Sequence, residues 1–372
     1  MPKKILLGGI PLGCDNIGDE AILDCVVGML RQTLGEVELA VATADPGTAA
    51  RLGVEVVPPF GFAGTSLEGF PAAVRGKDAY IWCGATGLSD YPRVALDLLE
   101  TAQREGVDTY IWGVGMDDEL NPAFFKAHGR RKKLLSLLHL TDWYERRLKL
   151  KLKRRIAKIL PRCKGVWLRD EQSKAVLAGM GFDGARVAAD TAILQTAPGV
   201  ETTTPSRRLG LCISTQRQVA DLDGLKKLLD AVRASGAEVL GIPMNPKTDR
   251  KLMESLGVTC IAGETPEAVC KAAAGCAVVL SSRLHLLILA ANVGTPVMGI
   301  ARGSKLANWL ANFDRTVEGG VYDCDWERTT RRVLAALADR GDWDEKRAKA
   351  YARLHERLDK AREELAEAIG SQ

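Results

Sequence analysis

The sequence predicts an α/β protein with two Rossmann-like domains, whose parallel sheets face a central cleft, followed by a C-terminal amphipathic helix. The 372 residues suffice for about two domains. In each half, short apolar runs alternate with amphipathic stretches, which indicates parallel strands joined by right-handed helical crossovers. The segment between the halves contains two prolines and a run of threonine, as linkers do. We therefore place the domains at residues 1–195 and 209–335, the linker at 196–208 and the helix at 336–372.

The first half opens with an apolar run that is typical of a buried strand. Strands are predicted at residues 4–10, 37–42, 79–83, 109–114 and 166–169. Helices are predicted between and after them, at residues 20–34, 94–105 and 170–180.

The second half repeats the alternation after the linker. Strands are predicted at residues 209–214, 238–242, 277–280 and 297–300. Helices are predicted at residues 222–235, 247–256 and 286–292. The tail at 343–369 is predicted to be one long, charge-rich helix.

Composition argues against several classes of partner. The net charge of +4 and an aromatic content of 5% indicate neither a nucleic-acid footprint nor base-stacking platforms. No run approaches the roughly 20 apolar residues of a membrane span, and the first apolar run is too short for a signal peptide. The nine cysteines show no CxxC pair or zinc spacing. We expect a cytoplasmic protein with reduced thiols, no metal and no cofactor.

Arg283 and His285 follow the predicted strand 277–280, at the point where a helix begins. Ligands of open α/β sheets bind at the carboxyl ends of the strands. Histidine exchanges a proton near neutral pH, and arginine can fork onto a carboxylate or phosphate. Taken alone, this Arg-x-His pattern also fits a partly exposed histidine beside a surface ion pair.

Three more cations, Arg169, Arg302 and Lys305, lie at or near predicted strand ends. Arg169 also has neighbouring acids with which it could pair on the surface. The recurrence of cations at one kind of position favours a small, multiply charged anion with His285 beside it.

Two loops complete the predicted site. The loop at 8–20 is rich in glycine but does not match the GxGxxG fingerprint, so a nicotinamide enzyme is not indicated. Gly18 is expected to let the backbone approach a ligand, and Asp19 either caps the helix or takes a proton from a bound hydroxyl. The loop at 83–90 also follows an apolar strand, and by itself it fits a plain turn.

Five segments, in order, resemble the polysaccharide pyruvyl transferase family over roughly residues 5–315. The first reads Asn-Ile-Gly-Asp-Glu-Ala-Ile-Leu and the fourth contains Arg-Leu-His. The segments lie at 16–23, 84–90, 169–173, 283–292 and 294–305. Two departures are visible: Cys-Gly-Ala-Thr-Gly at 83–87 stands where the family has three glycines, and Asp-Thr at 190–191 stands where it has Asp-Pro.

The resemblance implies a GT-B-like fold and transfer of a pyruvyl group, as a ketal, from phosphoenolpyruvate onto a sugar of a cell-surface polysaccharide or its lipid-linked precursor. Phosphoenolpyruvate would be a co-substrate held by the second domain, with the acceptor on the first. His285 matches the family's proposed general acid, and Arg169 and Arg283 match its donor-binding arginines. The remaining site residues that we assign are Asp19 as hydroxyl base, Arg302 and Lys305 for the donor, and Asn16, Gly18, Thr86 and Asp90 for the acceptor.

Two other functions fit a two-domain protein of this kind, because fold does not decide function. One is a glycosyltransferase with a nucleotide-sugar donor, for which Glu264 is the candidate ribose ligand. The other is a non-catalytic two-lobed protein that binds an anion or a saccharide. The basic, leucine-rich segment 149–164 is interpreted either as a solvated helix face or as a contact with an anionic membrane surface.

Overall fold

The computed structural model describes residues 2–85, 87–117, 120–199, 206–214, 221–301 and 303–370. By compactness the chain divides into two units. The first comprises Met1–Cys14, Val26–Asp190 and Arg357–Gln372, and the second comprises Asp15–Cys25 and Thr191–Glu356.

The first unit contains a parallel sheet of seven strands within the described residues. They are β1 (Lys3–Gly8), β2 (Val37–Ala42), β3 (Glu55–Val57), β4 (Ala79–Cys83), β5 (Asp108–Val114), β6 (Gly165–Leu168) and β7 (Arg186–Val187). Their order is β3-β2-β1-β4-β5-β6-β7, so the direction of winding reverses between β1 and β4. The carboxyl ends of these two strands form the switch point of this sheet.

Helices fill the connections between these strands. They are α1 (Ile17–Leu34), whose first residues belong to the second unit, α2 (Thr48–Leu52), α3 (Phe70–Val74), α4 (Gly87–Asp90), α5 (Pro92–Arg104), α6 (Pro122–Phe125), α7 (Gly129–Leu137), α8 (Thr141–Ile159) and α9 (Glu171–Gly179). A 3₁₀ turn follows α8 at Leu160–Arg162. Local chemistry sets the starts: Pro92 opens α5, and the Asp170 carboxylate caps α9 by accepting from the Ser173 N–H at 2.7 Å.

The second unit contains a parallel sheet of six described strands. They are β8 (Ser206–Cys212), β9 (Glu238–Gly241), β10 (Thr259–Cys260), β11 (Cys276–Ser281), β12 (Val297–Ala301) and β13 (Gly319–Gly320). The order is β10-β9-β8-β11-β12-β13, which places the switch point between β8 and β11. A 3₁₀ turn at Thr191–Leu194 precedes them.

The helices of this unit follow its strands, and the last of them continues into the first unit. They are α10 (Leu222–Ala234), α11 (Asp249–Ser255), α12 (Pro266–Ala274), α13 (Leu284–Asn292), α14 (Ser304–Ala311), α15 (Trp326–Ala338) and α16 (Trp343–Gly370). None of the helices in the described ranges is long and apolar enough to cross a membrane.

The central strands explain why the apolar runs predicted the fold. Every residue of β4 and of β11 is buried, as expected for parallel strands covered on both faces. The predicted α/β class with two parallel sheets and a terminal helix is confirmed. β8 begins at Ser206, three residues before the predicted strand, so the predicted linker 196–208 includes the start of this strand.

Candidate active site

The carboxyl edge of the second sheet carries the predicted arginine and histidine. β11 ends at Ser281, and Arg283 lies between it and α13, whose second residue is His285. This edge adjoins the switch point between β8 and β11, where ligands of such sheets bind. The residues of α13 from Leu286 to Ala291 are all buried apolar residues. Burial of this helix therefore fixes the imidazole at the edge.

The start of α1 packs against the same edge. The N–H of Ile17 donates to the carbonyl of Met244 at 3.0 Å, and the side chains of Asp15 and Lys247 form an ion pair of 2.6 Å. Met244 and Lys247 both belong to the loop after β9. The segment Asp15–Cys25 is therefore part of the second unit in structure, although it lies early in the sequence.

Gly18 is the residue against which His285 packs. A Cβ at position 18 would overlap the Nδ1, Cγ and Cβ atoms of His285. The glycine was predicted to let a ligand approach the backbone, whereas the structure shows a different reason for a glycine at this position. It makes room for the imidazole, and any larger residue would displace the ring.

Asp19 lies beside the histidine and is only 4% exposed. The Asn16 amide donates to its Oδ2 at 2.6 Å. Burial raises the pKa of Asp19 above its usual range, and the opposing effects of His285, the Asn16 hydrogen bond, Lys305 and Arg283 only partly offset it. A carboxylate in this state is a better proton acceptor than an exposed aspartate.

Arg283 is held by a buried aspartate. Its Nε and Nη2 donate to the two carboxylate oxygens of Asp249 at 3.0 and 2.8 Å, and Asp249 is fully buried. The same carboxylate accepts from the Asn245 N–H at 2.9 Å. Burial alone would lower the pKa of Arg283, but the bonds and charge of Asp249 raise it, so the guanidinium stays charged. The fork leaves Nη1 for another acceptor.

Lys305 is the second residue of α14, which follows β12 at the same sheet edge. It is partly buried, and its positive charge acts on Asp19. The helix starts after Gly303, whose φ of 112° is a conformation that glycine adopts without strain. Two predicted site residues, Arg302 and Thr86, lie outside the described residues.

The loop after β4 has structural contacts of its own in the first unit. A Cβ on Gly87 would overlap the indole of Trp82. The Ser89 hydroxyl accepts from the Asp117 N–H at 3.1 Å, and the Asp90 carbonyl accepts from the Asn121 amide at 3.2 Å. These contacts fix α4, the short helix that ends at Asp90.

Arg169 lies at the end of β6 in the first unit and is only 7% exposed. Its Nε donates to the Asp170 carboxylate at 3.1 Å, and its Nη1 is 4.0 Å from Asp190. Burial alone would lower the pKa of Arg169, but the negative charges of Asp170, Asp190 and Asp117 raise it. A Cβ on Gly115 would overlap the guanidinium. This arginine is therefore packed tightly among acids rather than placed on the surface.

Most of the predicted site residues therefore come together in the second unit. These are Asn16, Gly18, Asp19, Arg283, His285 and Lys305. Arg169 and Asp90 belong to the first unit. Sequence reasoning missed Asp249, since it read the aspartate as part of an ordinary helix start after the strand 238–242. An acid at the start of the helix that follows β9 was the available signal.

The residue predicted to bind a nucleotide ribose lies in a surface ion pair. Glu264, the candidate for a nucleotide ribose, is exposed and lies 3.7 Å from Arg250 in an ion pair. Arg250 also pairs with Glu254 at 3.6 Å, as surface residues commonly do. Among the residues that the structure describes, no group of three or more His, Cys, Asp or Glu could hold a metal ion.

Comparisons with known proteins agree with this fold. A model of the polysaccharide pyruvyl transferase family matches residues 16–304, and no curated protein matches the sequence significantly. The glycotransferase of kitacinnamycin has a TM-score of 0.61 at 11% identity, over 99% of this chain and 98% of that one. The UDP-GlcNAc 2-epimerase from Neisseria meningitidis, bound to UDP-GlcNAc, has a TM-score of 0.56 at 12% identity, with 100% of both chains covered. At such identities the similarity shows the fold alone, which is of the GT-B type.

Proposed function

The chain belongs to the polysaccharide pyruvyl transferase family, and from that membership we propose that it moves a pyruvyl group from phosphoenolpyruvate onto a sugar as a ketal. The observation that carries the proposal is the cluster at the second switch point. There His285 is packed on Gly18, beside the buried Asp19 and next to a forked arginine. An acid, a base and cations for an anionic donor are the groups that this chemistry needs.

The donor carries a carboxylate and a phosphate, and cations at the sheet edge are suited to hold both. Asp249 orients the Arg283 guanidinium and leaves Nη1 to donate to the donor. Asp249 also neutralises that arginine, so Lys305 and Arg302 are proposed as further donor contacts. Arg169 is retained as a proposed donor contact on the family resemblance.

We assign His285 as the acid that protonates the methylene carbon of phosphoenolpyruvate. The new C–H bond converts the methylene to a methyl group and makes C2 electrophilic. A positioned acid of this kind is typically worth about 10²–10⁴ in rate. The imidazole packs directly on Gly18, in the space that a Cβ would occupy, and this contact helps to position the ring for the transfer.

Asp19 is assigned as the base for the attacking sugar hydroxyl. The hydroxyl oxygen bonds to C2 while its proton passes to the carboxylate. The C2–O bond to phosphate then breaks, and a second hydroxyl of the sugar closes the ketal. The proton of this second hydroxyl leaves with the phosphate. The proton on Asp19 returns to solvent, and His285 takes up a new proton from solvent. The sum is one ketal and one phosphate for each donor.

The acceptor is proposed to be a saccharide of a cell-surface polysaccharide, free or on a lipid carrier. The proposed acceptor contacts are Asn16, Gly18, Thr86 and Asp90. Asn16 already donates to Asp19, so its contribution would be to aim the base as well as to meet the sugar.

A nucleotide-sugar glycosyltransferase is the second candidate, because a structure of the same fold is bound to UDP-GlcNAc. Ligand-induced thermal stabilisation separates the two. A ligand at about 100 times its dissociation constant stabilises a protein by roughly 2.7 kcal/mol. Phosphoenolpyruvate should raise the melting temperature, and a panel of nucleotide sugars should leave it unchanged. The opposite pattern would favour the glycosyltransferase.

Phosphate release tests the activity itself. The protein, phosphoenolpyruvate and a set of saccharide acceptors are incubated together, and phosphate is measured with each acceptor. Release that depends on one acceptor supports pyruvyl transfer, while stabilisation by phosphoenolpyruvate without release from any acceptor would point to the non-catalytic binding protein.

A further inference from the structure

Exposed apolar side chains are concentrated on one helical hairpin of the first unit, formed by α7, α8 and the turn between them. Of ten large hydrophobic residues that are exposed in the described chain, six lie on this hairpin: Leu134, Leu137, Leu138, Leu140, Trp143 and Leu150. Leu137 is 77% exposed, more than any other of the ten. An exposed apolar patch of this kind marks an interaction site.

The backbone of the turn is ordered by hydrogen bonds. The N–H of Leu138 donates to Leu134 O at 3.1 Å, and that of Leu140 donates to Leu135 O at 2.8 Å. His139 takes the left-handed conformation, with φ of 53°. The leucines are therefore presented to solvent by a defined turn, which we call the hairpin tip (Leu134–Trp143).

The two ends of α8 have different surroundings. Towards its C-terminus, Leu152, Ile156 and Ile159 are buried, and Arg155 pairs with Asp97 of α5 at 2.8 Å. Towards its N-terminus, Trp143 and Leu150 are more than half exposed. The helix is thus anchored at one end and carries the hairpin tip at the other.

The hairpin is also strongly basic. Between Gly129 and Ile159 the sequence has twelve Lys and Arg residues and two acids, a net charge of +10, while the whole chain carries +4. Basic residues beside the hairpin tip are exposed, among them Lys132, Lys133, Arg146 and Arg147. Arg147 also stacks on the ring of Trp143, with 5.4 Å from its Cζ to the ring centroid. Such a surface is complementary to a negatively charged partner.

The segment predicted from sequence to meet a membrane, 149–164, is in part committed to internal contacts. Lys158 pairs with Glu100 at 2.7 Å, and Lys164 lies 3.8 Å from Asp108. With Arg155 also paired, the charges best placed for an outside partner lie earlier in the chain than predicted.

We propose that the hairpin tip inserts into the surface of an anionic lipid bilayer. The leucines enter the acyl boundary, Trp143 lies at the headgroup level, and the flanking lysines and arginines bind lipid phosphates. A second copy of the chain fits less well, because two hairpins of charge +10 repel each other. Only the purpose of this contact rests on the proposed function: it would bring the enzyme to a lipid-linked acceptor.

Vesicle co-sedimentation tests the surface. The wild-type protein should bind vesicles of phosphatidylcholine with about one-third phosphatidylglycerol, and bind pure phosphatidylcholine at least tenfold more weakly. The double variant Leu137→Glu, Leu138→Glu should bind the anionic vesicles at least tenfold more weakly than the wild type. The double variant Arg146→Gln, Arg147→Gln should show a loss of the same size at low salt. The matched control is Leu222→Glu, because Leu222 of α10 is an exposed leucine (38%) outside the hairpin. It should bind as the wild type does.

Trp143 offers a direct report of insertion. It is 54% exposed, whereas the other six tryptophans are at most 7% exposed. Anionic vesicles should shift the emission to shorter wavelength, and brominated acyl chains should quench it. Trp143→Phe should remove both signals while vesicle binding persists.

Two outcomes would overturn the proposal. One is equal vesicle binding by wild type and the Leu137, Leu138 double variant, with unchanged melting temperatures. The other is light scattering that shows a wild-type dimer and a monomeric double variant, which would make the hairpin tip a self-interface. Phosphate release with a water-soluble acceptor separates this proposal from the function. Variants that lose vesicle binding should keep that release, whereas an absence of release in all proteins would remove the pyruvyl transfer and leave the vesicle result standing.

Discussion

Arg169 and Arg283 each lie just after a parallel strand, β6 in the first sheet and β11 in the second, yet their surroundings differ. Arg283 forks onto a single fully buried carboxylate, Asp249. Arg169 is surrounded by the charges of three acids, Asp170, Asp190 and Asp117. A strand end thus provides a place for an arginine, but the neighbouring carboxylates decide how much of its charge is available to an anion.

The side chains suited to acid–base catalysis are also unevenly distributed between the two units. A histidine, a buried acid with a raised pKa and a lysine accompany Arg283 in the second unit. The Arg169 side chain is instead described beside Asp170, Asp190 and Gly115, with a further negative charge from Asp117. We therefore expect the second-unit cluster to carry the catalytic groups, while Arg169 is held mainly by its own acids.

The largest effect is expected for His285→Gln. Glutamine keeps a hydrogen bond but cannot act as an acid, so turnover should fall by about 10²–10⁴ while phosphoenolpyruvate still binds. Steady-state phosphate release and calorimetric titration of the donor measure the two quantities. His355→Gln on α16 is the control and should keep full turnover. Near-wild-type turnover of His285→Gln would remove the acid role and make Asp19 the next residue to test.

Gly18→Ala should lower turnover by roughly tenfold or more, because its Cβ would force the imidazole out of place, and a 1 Å misplacement can cost about 10². Gly28 lies on the same helix with nothing within 4 Å of a built Cβ, so Gly28→Ala is a matched control. That control should keep turnover and gain about 0.5–1 kcal/mol in stability. Equal turnover of the two variants would show that the packing of His285 on Gly18 does not matter.

Donor affinity should distinguish the two arginines. Arg283→Ala should weaken phosphoenolpyruvate binding by about tenfold or more, since a charge-assisted hydrogen bond is worth about 1.5–3 kcal/mol, and Arg169→Ala should weaken it less. Both variants break a buried pair and should lose about 3–5 kcal/mol of stability, so titrations must be made well below their melting temperatures.

Lys305→Met serves as the companion variant, because Lys305 is partly exposed and its loss should weaken donor binding without that loss of stability. Unchanged donor affinity in both arginine variants would contradict their assignment to the donor.

The smallest effect concerns Asp19 and pH. Its raised pKa means that the folded state holds this proton more tightly than the unfolded chain does. The contribution of Asp19 to wild-type stability therefore falls as pH rises from the ordinary aspartate pKa of 3.8 through the raised value. Asp19→Asn lacks this penalty, so it should melt a few degrees higher than wild type at neutral pH and equally near pH 3. Asp15 is exposed, so the melting temperature of Asp15→Asn should not rise at neutral pH. A lower melting temperature of Asp19→Asn at neutral pH would contradict a raised pKa of Asp19.

The central strands and about half of the described helices were predictable from sequence because their apolar patterns are long. β2 and β4 have the predicted bounds, and the ends of β5, β6 and β11 differ by one residue. β3, β7, β10 and β13 were not predicted, because edge strands of two or three residues carry no clear apolar pattern. α15 was also missed, and it presents Val333 and Leu337 to the core amid charged residues.

The candidate site was predictable in its residues but not in its contacts. The Arg-Leu-His motif and the acidic helix start identified His285 and Asp19. Asp249 was not identified, because its partner Arg283 is 34 residues away and only the parallel neighbours β9, β8 and β11 bring them together. Gly18 and His285 are even further apart in the sequence, so their packing could not be predicted from it. A glycine in a loop indicates a flexible backbone, but it does not show which side chain packs against it.

We expect His285 to deliver a solvent-exchangeable proton to phosphoenolpyruvate during transfer of its pyruvyl group. The most direct measurement is the reaction in heavy water with phosphoenolpyruvate and saccharide acceptors, followed by mass spectrometry and NMR of the sugar product. The expected product is a ketal whose methyl group contains a single deuterium, formed with an equal amount of phosphate. His285→Gln should give no such product on the same timescale. A product with no deuterium in the methyl group, or sugar transfer from a nucleotide donor instead, would contradict this expectation.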